Sequence, residues 1–398
     1  MRPSKQQLAV GLDAGAVSTR CVILQIGQGV VRYLGHGESE SAGWMKGRLA
    51  DPSAAQACIR SAMERAEAVA RVSVDTVVLG IGSGVEGSNG RGLYEFGRPR
   101  RVTQDEIAYA VERAFKVRME DDRLLLQMFP QDFTIDGRSG YRHPLGSTCS
   151  RLEANVYLLT TSQREHEMLI ATTHGAHVTV EETIFEPIAA AYGSILPDER
   201  NRGVALLDIG SHSTGLVVYD GEAVVLAKSL TVSADHFTRD VSFGMKVAYE
   251  DAERLKVECG CAMVGLTADN SLIEVPSPEG RVSREAPRRQ LNEILEARAE
   301  DLFLIIRNEL AQVGMEQSLM DGVVLTGGGA LLNGMCDMAE RVLNCPARNG
   351  LIMGVENWPE ELENPAWTAA GGLAMYSAKL KMKREIKKAP GLVGLVMK

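Results

Sequence analysis

Apolar positions along the chain follow two spacings. Short runs of β-branched and aliphatic residues bounded by Gly, Ser and Asp read as strands, and apolar residues three and four apart read as helices. One arrangement occurs twice. Val10-Gly11-Leu12-Asp13 turns through Ala14-Gly15-Ala16-Val17-Ser18-Thr19 and resumes as Arg20-Cys21-Val22-Ile23-Leu24. In the same way, 195 residues later, Ala205-Leu206-Leu207-Asp208 turns through Ile209-Gly210-Ser211-His212-Ser213-Thr214 and resumes as Gly215-Leu216-Val217-Val218. Each is Asp-x-Gly-x-x-Ser-Thr between two apolar runs, and each predicts a hairpin.

Between the two hairpins the pattern alternates. A third strand is expected at residues 30–35, a loop at 43–47, and a helix at about 53–71 capped by Asp51 or Ser53. That helix presents Ala57, Met63, Ala66 and Ala70 along one side, and a buried strand follows at residues 75–82. Residues 83–100, rich in Gly, Ser, Asn and Arg, read as a boundary. Beyond it come a helix at about 103–117 with Thr103 and Glu106 as a capping box, then strands at 124–129, 133–136 and 152–160. This is a small α+β insertion. Residues 163–175 read as a helix, 178–184 as a strand, and 185–193 as a small-residue helix with Pro187 in its first turn.

After the second hairpin, Glu250–Lys256 lies on a helix, residues 265–290 are polar and strand-like, and a long helix spans about 288–313. Its apolar side is read as Leu291, Ile294, Leu295, Leu302, Ile305, Ile306 and Leu310. Val323-Val324-Leu325-Thr326 then runs into Gly327-Gly328-Gly329 and a helix start.

The chemistry lies in these turns. Glycine lets a ligand approach the backbone, and Ser and Thr hydroxyls with turn N–H groups bind phosphate oxygens. An Asp carboxylate suits Mg²⁺, which keeps its waters and bridges phosphates. One such turn reads as an ordinary hairpin; the matched pair predicts a clamp on a nucleotide's phosphates. The candidate binding residues are Asp13, Gly15, Ala16, Ser18, Asp208, Gly210, Ser211, Ser213 and Thr214, with Asp13 and Asp208 on the metal side. The three glycines 327, 328 and 329 let a base or ribose pack on the main chain, and a helix N-terminus there would attract an anion. Glu186 and Asp208 are the candidate catalytic residues. Glu186 reads either as a water-orienting group or as a first-turn carboxylate complementing the helix dipole. Glu253 and Lys256, three apart on a helix, read on their own as a solvated ion pair.

Composition narrows the setting. The chain has 398 residues, 45% hydrophobic and 24% charged, which predicts two soluble domains of ordinary size. A net charge of -9 argues against a general nucleic-acid binder. No apolar run reaches the length of a membrane-spanning helix, and Met1–Gln7 predicts no leader peptide. The seven cysteines form no C-x-x-C pair and read as reduced thiols.

The motifs together resemble a known family. Asp13-x-Gly15, Glu186-Pro187-x-Ala189-Ala190, Asp208-x-Gly210 and Thr326-Gly327-Gly328-Gly329-Ala330 look like the phosphate-1, connect-1, phosphate-2 and adenosine motifs of the actin/Hsp70/sugar-kinase superfold. Within it the chain most resembles the FtsA family, through Gly43–Gly47, Leu126–Asp136, His143–Gly146, Ser150–Glu153, Glu253–Ala262 and Glu274-Val275-Pro276-Ser277.

The resemblance implies an α/β, duplicated actin-like (ribonuclease-H-like) two-domain fold with a small inserted α+β subdomain. Residues 1–83 and 163–200 would form the first domain, and 84–162 an insert like subdomain 1C. Residues 201–378 would form the second domain, with a smaller subdomain at about 228–312, and 379–398 a basic and apolar tail. It implies an ATP- and Mg²⁺-binding protein that polymerises on the cytoplasmic face of the cell membrane at the division site. There it would tether FtsZ and recruit later division proteins through the insert. By the same likeness Glu253 and Lys256 would line an adenosine pocket, and Glu296, Arg298 and Glu300 would contribute to the site for the FtsZ C-terminal peptide. The tail departs from the family's pattern: the basic residues from Lys379 to Lys388 run directly into Leu392, Val393, Leu395 and Val396, which reads either as contact with anionic lipid or as a solvated basic helix end.

Two turns depart from the family's pattern. The second loop reads Gly210-Ser211-His212-Ser213-Thr214 where FtsA has Gly-Gly-Gly-Thr, and the first lacks the family's usual Lys. The sequence is compatible with turnover of ATP or with its retention. The alternatives are a sugar-kinase-type phosphotransferase, suggested by Asp13-x-Gly15-x-x-Ser18-x-Arg20, and a pilus-assembly actin-like protein.

Overall fold

A computed structural model describes residues 7–27, 29–114, 121–221, 223–268, 270–276 and 283–388. Its first part contains β1 (Gln7–Ala14), β2 (Ser18–Gly27), β3 (Val30–Glu40), the short pair β4 (Trp44–Met45) and β5 (Arg48–Leu49), α1 (Pro52–Ala70) and β6 (Thr76–Ile81). The insertion holds β7 (Glu86–Arg101), α2 (Gln104–Ala114), β8 (Arg123–Ile135), β9 (Arg138–Tyr141) and β10 (Thr148–Ser162). The chain returns through α3 (Gln163–Gly175), β11 (Thr179–Phe185), α4 (Glu186–Ser194) and α5 (Pro197–Arg202). The second part has β12 (Val204–Ile209), β13 (Thr214–Asp220), β14 (Ala223–Leu230), α6 (Ala234–Met245), α7 (Tyr249–Cys259), β15 (Leu272–Val275) and β16 (Arg284–Pro287). It continues with α8 (Arg288–Gln312), β17 (Val323–Thr326), α9 (Met335–Leu343), β18 (Ala347–Asn349) and α10 (Thr368–Lys388).

Two five-stranded sheets share one construction. In the first the order is β11-β6-β1-β2-β3, and in the second it is β18-β17-β12-β13-β14. In each, the central strand pairs antiparallel with the second arm of its hairpin and parallel with the strand on its other side. The duplication expected from the paired turns is therefore a duplication of whole sheets, and the architecture is the actin-like one.

The central strands are buried on both faces, as parallel neighbours require. Val10 and Leu12 of β1 pack with Ile59, Met63 and Ala66 of α1, while Ala9 packs on the other face with Ala370 and Ala374 of α10. Gly11 makes the second contact possible: a Cβ there would lie 2.5 Å from the Ala370 carbonyl and 2.6 Å from Leu373 Cβ. The side of α1 differs from expectation. Ala55, Ile59, Ala62, Met63 and Ala66 face the sheet, and Ala57 is exposed because it lies nearly half a turn from Ile59. Asp51 is the N-cap, accepting from Ser53 and Ala54 N–H groups at 3.0 and 3.2 Å. On α8 the buried side is Leu291, Leu295, Ala299, Leu302, Phe303, Ile306 and Leu310; Ile294 and Ile305 are only partly covered.

The insertion is a four-stranded antiparallel sheet in the order β7-β10-β8-β9 with α2 on one face. Residues 83–100, read from sequence as a boundary, are mostly strand. The glycines that gave that impression lie beneath the helix and sheet: a Cβ at Gly90 would meet the Ala114 carbonyl at 2.7 Å, and one at Gly92 would overlap the Ala110 carbonyl. The two strands expected at 124–129 and 133–136 are one, β8. At the start of α2, the Thr103 N–H donates to Glu106 at 2.7 Å, but the Thr103 hydroxyl donates to that carboxylate too, so only half of the capping box forms.

The insertion touches both halves. The Tyr157 hydroxyl bonds the Ala227 carbonyl and N–H at 3.2 and 3.1 Å, and Gln131 donates to the Val224 carbonyl at 3.0 Å. Towards the first half, Gln127 accepts from the Phe185 N–H at 3.1 Å.

Candidate functional site

The two Asp-x-Gly-x-x-Ser turns face each other across a cleft of about 430 Å³, within the range of small-molecule sites. Asp13, Gly15, Ala16 and Ser18 line it from one side, and Asp208, Gly210, Ser211 and Ser213 from the other. The turns are built alike. A Cβ at Gly15 would lie 2.7 Å from the Ser18 carbonyl, and one at Gly210 would lie 3.0 Å from the Ser213 carbonyl. The chain folds back so tightly at these positions that a side chain would strain it.

Thr214 does not share the cleft. It is fully buried, and its hydroxyl donates to the Val232 carbonyl at 2.7 Å. The reason is its place as the first residue of β13, where strand alternation turns its side chain into the sheet's packing. Thr19, its counterpart, is likewise buried and bonded to Ser41 at 2.8 Å. The Ser213 hydroxyl crosses the cleft and donates to the Gly82 carbonyl at 3.1 Å; Ser229 donates to the same carbonyl at 3.3 Å.

The floor carries three carboxylates. Asp13 is buried, and burial pushes its pKa up to about 7, with Arg20 pulling it down and Asp208 adding to the rise. Burial also pushes Asp208 up to about 6, opposed by a hydrogen bond from the Thr326 hydroxyl at 3.0 Å and by Arg20. Glu186 is raised well above the usual carboxylate range by burial and then by the charges of Asp13 and Asp208. Room for Glu186 comes from two glycines at the end of β6. A Cβ at Gly80 would lie 2.6 Å from Glu186 Oε1, and one at Gly82 would overlap Oε2. Arg20 is held by Glu38 at 2.8 Å and lies 5.4 Å from the centre of the Trp367 ring.

Gly327 and Gly329 pack on the end of β12: a Cβ at Gly327 would lie 2.7 Å from Asp208 Oδ1, and one at Gly329 would overlap Ile209. Gly328 has open space beside it. The triple glycine does not open an α-helix. A single 3₁₀ turn, Gly328–Leu331, follows it and α9 begins only at Met335, so the helix-terminus part of the expected anion site is absent here.

Glu253 and Lys256 form an ion pair at 2.7 Å, but it is not the solvated pair their spacing suggests. Lys256 is buried, donating to the Thr238 hydroxyl at 2.8 Å, and both residues line the cleft. The helix α6 that carries Ala234, Phe237 and Thr238 was not read from sequence, although Phe237, Val241 and Met245 recur every four residues along it. Arg20, Gly80, Gly82 and Phe237 are further cleft residues that the candidate set omits.

The structure does not bring Glu296, Arg298 and Glu300 together. Arg298 pairs with Asp240 of α6 at 2.5 Å, whereas Glu296 pairs with Arg341 of α9 at 2.7 Å and accepts from the Val264 N–H at 2.6 Å. Glu300 lies 3.8 Å from Arg341, on the same side of α8 as Glu296. The basic segment beginning at Lys379 continues α10 rather than leaving the fold. Lys381 donates to the Leu8 carbonyl at 2.8 Å, Arg384 pairs with Glu181, and Lys379 stands 4.2 Å from the centre of the Tyr192 ring. Residues 389–398, including the expected apolar end, lie outside the described residues. No helix among the described residues is long and apolar enough to cross a membrane.

Among the described residues no three His, Cys, Asp or Glu side chains converge closely enough to hold a metal ion alone. A cation at this floor would therefore need oxygens from a ligand and from water, the usual coordination of Mg²⁺ on a nucleotide. Three clustered acids with raised pKa values match that demand, since a divalent cation supplies the missing positive charge.

Comparison with known proteins agrees with the geometry. The family model "Cell division protein FtsA" matches residues 205–372, and "SHS2 domain inserted in FTSA" matches 82–160. Cell division protein FtsA of Escherichia coli K12 is 28% identical over 394 residues, covering 97% of this chain and 94% of that protein. The Borreliella burgdorferi FtsA is 28% identical over 392 residues, covering 98% and 95%. Among solved structures, a PilM-PilN type IV pilus biogenesis complex aligns with TM-score 0.66 at 19% identity, covering 93% of this chain and 98% of that one. MreB5 of Spiroplasma citri bound to ADP aligns with TM-score 0.57 at 15% identity, covering 96% and 99%. These last two show the shared actin-like fold. With both family models in their expected order and full-length relatives in several bacteria, the chain belongs to the FtsA family of actin-like cell-division proteins.

Proposed function

We propose that the cleft binds Mg-ATP and that the protein assembles, in that state, into filaments on the cytoplasmic face of the cell membrane at the division site. The observation that carries the nucleotide reading is the pair of similarly built turns facing one another above Asp13, Asp208 and Glu186. Turn N–H groups, those of Ser211 and Ser213 among them, and the Ser18 hydroxyl would hold phosphate oxygens, and Asp13 and Asp208 would hold the hydrated Mg²⁺. The base and ribose would lie between Gly327–Gly329 and the Glu253–Lys256 pair. When bound, the metal neutralises phosphate charge; Glu186 would orient water on that side of the cleft, in its ionised form. ADP in a solved MreB5 structure of the same fold supports nucleotide as the ligand class.

Membership of the FtsA family supports the division role: tethering FtsZ through its C-terminal peptide, self-assembly, and recruitment of later division proteins by the inserted subdomain. Contact with anionic lipid is assigned to the C-terminal tail. The family match favours neither the sugar-kinase nor the pilus alternative. Co-sedimentation of the full chain with anionic liposomes, with and without Mg-ATP and an FtsZ C-terminal peptide, tests the set. ATP-dependent pelleting that carries the peptide down is expected. A protein that binds ATP yet pellets with neither membrane nor peptide would remove the tethering role.

The raised acids give the nucleotide reading a pH signature. A cation must displace the protons that Asp13 and Asp208 retain up to about pH 7 and about pH 6. Mg-ATP binding is therefore expected to release more protons from these two groups at about pH 6.5 than at about pH 8.5, with affinity rising between them. Calorimetric titrations in buffers of different ionisation enthalpy read this directly. Equal proton release at both values would mean that these carboxylates do not meet the cation.

A further inference from the structure

His212 is the side chain of the second turn for which the nucleotide reading has no use. It stands in the turn Gly210-Ser211-His212-Ser213 and lines the cleft. Across from it is Gly47, in the turn between β4 and β5 of the first half. A Cβ at Gly47 would lie 2.9 Å from His212 Cβ and 3.6 Å from Cγ, so the base of the His212 side chain rests against the first half of the molecule. One ring nitrogen is fixed: Nδ1 is 2.9 Å from the Ser211 hydroxyl. With that hydroxyl donating to Nδ1, the neutral ring carries its proton on Nε2, which then has a donor to offer and no partner among the described residues. The neighbouring turn residues Ser211 and Ser213 and the three acids of the floor line the same cleft.

We infer that His212 is a specificity-determining residue that donates a hydrogen bond to the terminal phosphate of a nucleoside triphosphate, and so sets the preference for triphosphate over diphosphate. The inference rests on the nucleotide reading of this cleft and deepens it. A glycine at this position would offer only main-chain N–H groups, which contact whichever phosphate lies nearest. An imidazole anchored by Ser211 and seated on Gly47 reaches further from the turn, toward the end of a phosphate chain clamped between the two hairpins. Its contact is therefore lost with the last phosphate, while the contacts of the turns themselves remain.

The test is a pair of titrations, Mg-ATP and Mg-ADP, on the full chain and on His212→Ala and His212→Gln, with melting curves of all three proteins without ligand. For His212→Ala the ratio of ATP to ADP affinity is expected to fall about tenfold, with ADP affinity within about twofold of the parent's, as for loss of one hydrogen bond to a charged group. Gln keeps a donor on a side chain of similar reach and is expected to recover part of the ratio. A merely structural role for His212 would weaken both nucleotides alike and lower the melting temperature; that result, or an unchanged ratio, would overturn the inference. If the parent protein binds ATP and the ratio does not move, only the role of His212 falls. If the parent binds neither nucleotide, the nucleotide reading itself falls, and the inference with it.

Discussion

Asp13→Asn and Asp208→Asn are each expected to lower Mg-ATP affinity about a hundredfold, the scale for removing one charged partner from a buried polar site. They are also expected to make the nucleotide-free protein more stable at pH 8. The second effect follows from the first site property. Asp13 and Asp208 have folded-state pKa values of about 7 and about 6, both raised from 3.8 chiefly by burial. Below about pH 3 each group is protonated whether the chain is folded or not, and the burial costs no ionisation. As pH climbs from about 4 to about 7 the unfolded chain releases its protons first, so stability falls across that window and stays reduced above it. Asn removes the charge and keeps the shape. The gain at pH 8 is on the order of 1–3 kcal/mol for Asp13→Asn, discounted for its coupling to Arg20 and Asp208, and it disappears toward pH 3. Melting curves at the two pH values measure it. A variant less stable than the parent at pH 8 would show that the carboxylates serve the fold, with Arg20 as their partner, and not a ligand.

Gly11→Ala has the largest effect expected outside the cleft. The methyl group would enter the space that the α10 backbone occupies at Ala370 and Ala374, where no side chain can swing away. Either α10 lifts from β1 or the strand shifts, at a cost of about 2–3 kcal/mol. Because β1 ends at Asp13, the shift would reach the first turn, and nucleotide affinity is expected to fall with stability. Gly27→Ala, in a strand position with nothing within 4 Å of the added methyl, serves as the control. Denaturation midpoints of the two variants compare them; equal midpoints would mean that α10 does not rest on β1 as described.

Much of the cleft is legible in the sequence because its chemistry is local. Asp13 to Ser18 and Asp208 to Ser213 each form their turn from adjacent residues, so the pattern on the page is the pattern in space. The same holds for α3, expected at residues 163–175 and found there, and for the duplicated sheets, which follow from two hairpins of one kind. What sequence could not supply depends on distant partners. The glycines of β7 read as a boundary until α2 is laid over them. Glu253 and Lys256 read as surface until Thr238, on a helix with no charge pattern to announce it, closes over the lysine. Thr214 carries the right chemistry in the right motif and is turned inward by strand alternation. Glu296 and Arg298 are two residues apart on α8, which places them on opposite sides of a helix.

The central claim is that the two turns hold one Mg-nucleotide between them, and calorimetric titration of the full chain with ATP, in Mg²⁺ and again in excess chelator, tests it most directly. Saturable binding at one site per chain, weakened by removal of Mg²⁺ and abolished by Asp13→Asn combined with Asp208→Asn, is the expected result. No binding by the parent chain, or binding indifferent both to Mg²⁺ and to the paired substitution, would contradict it.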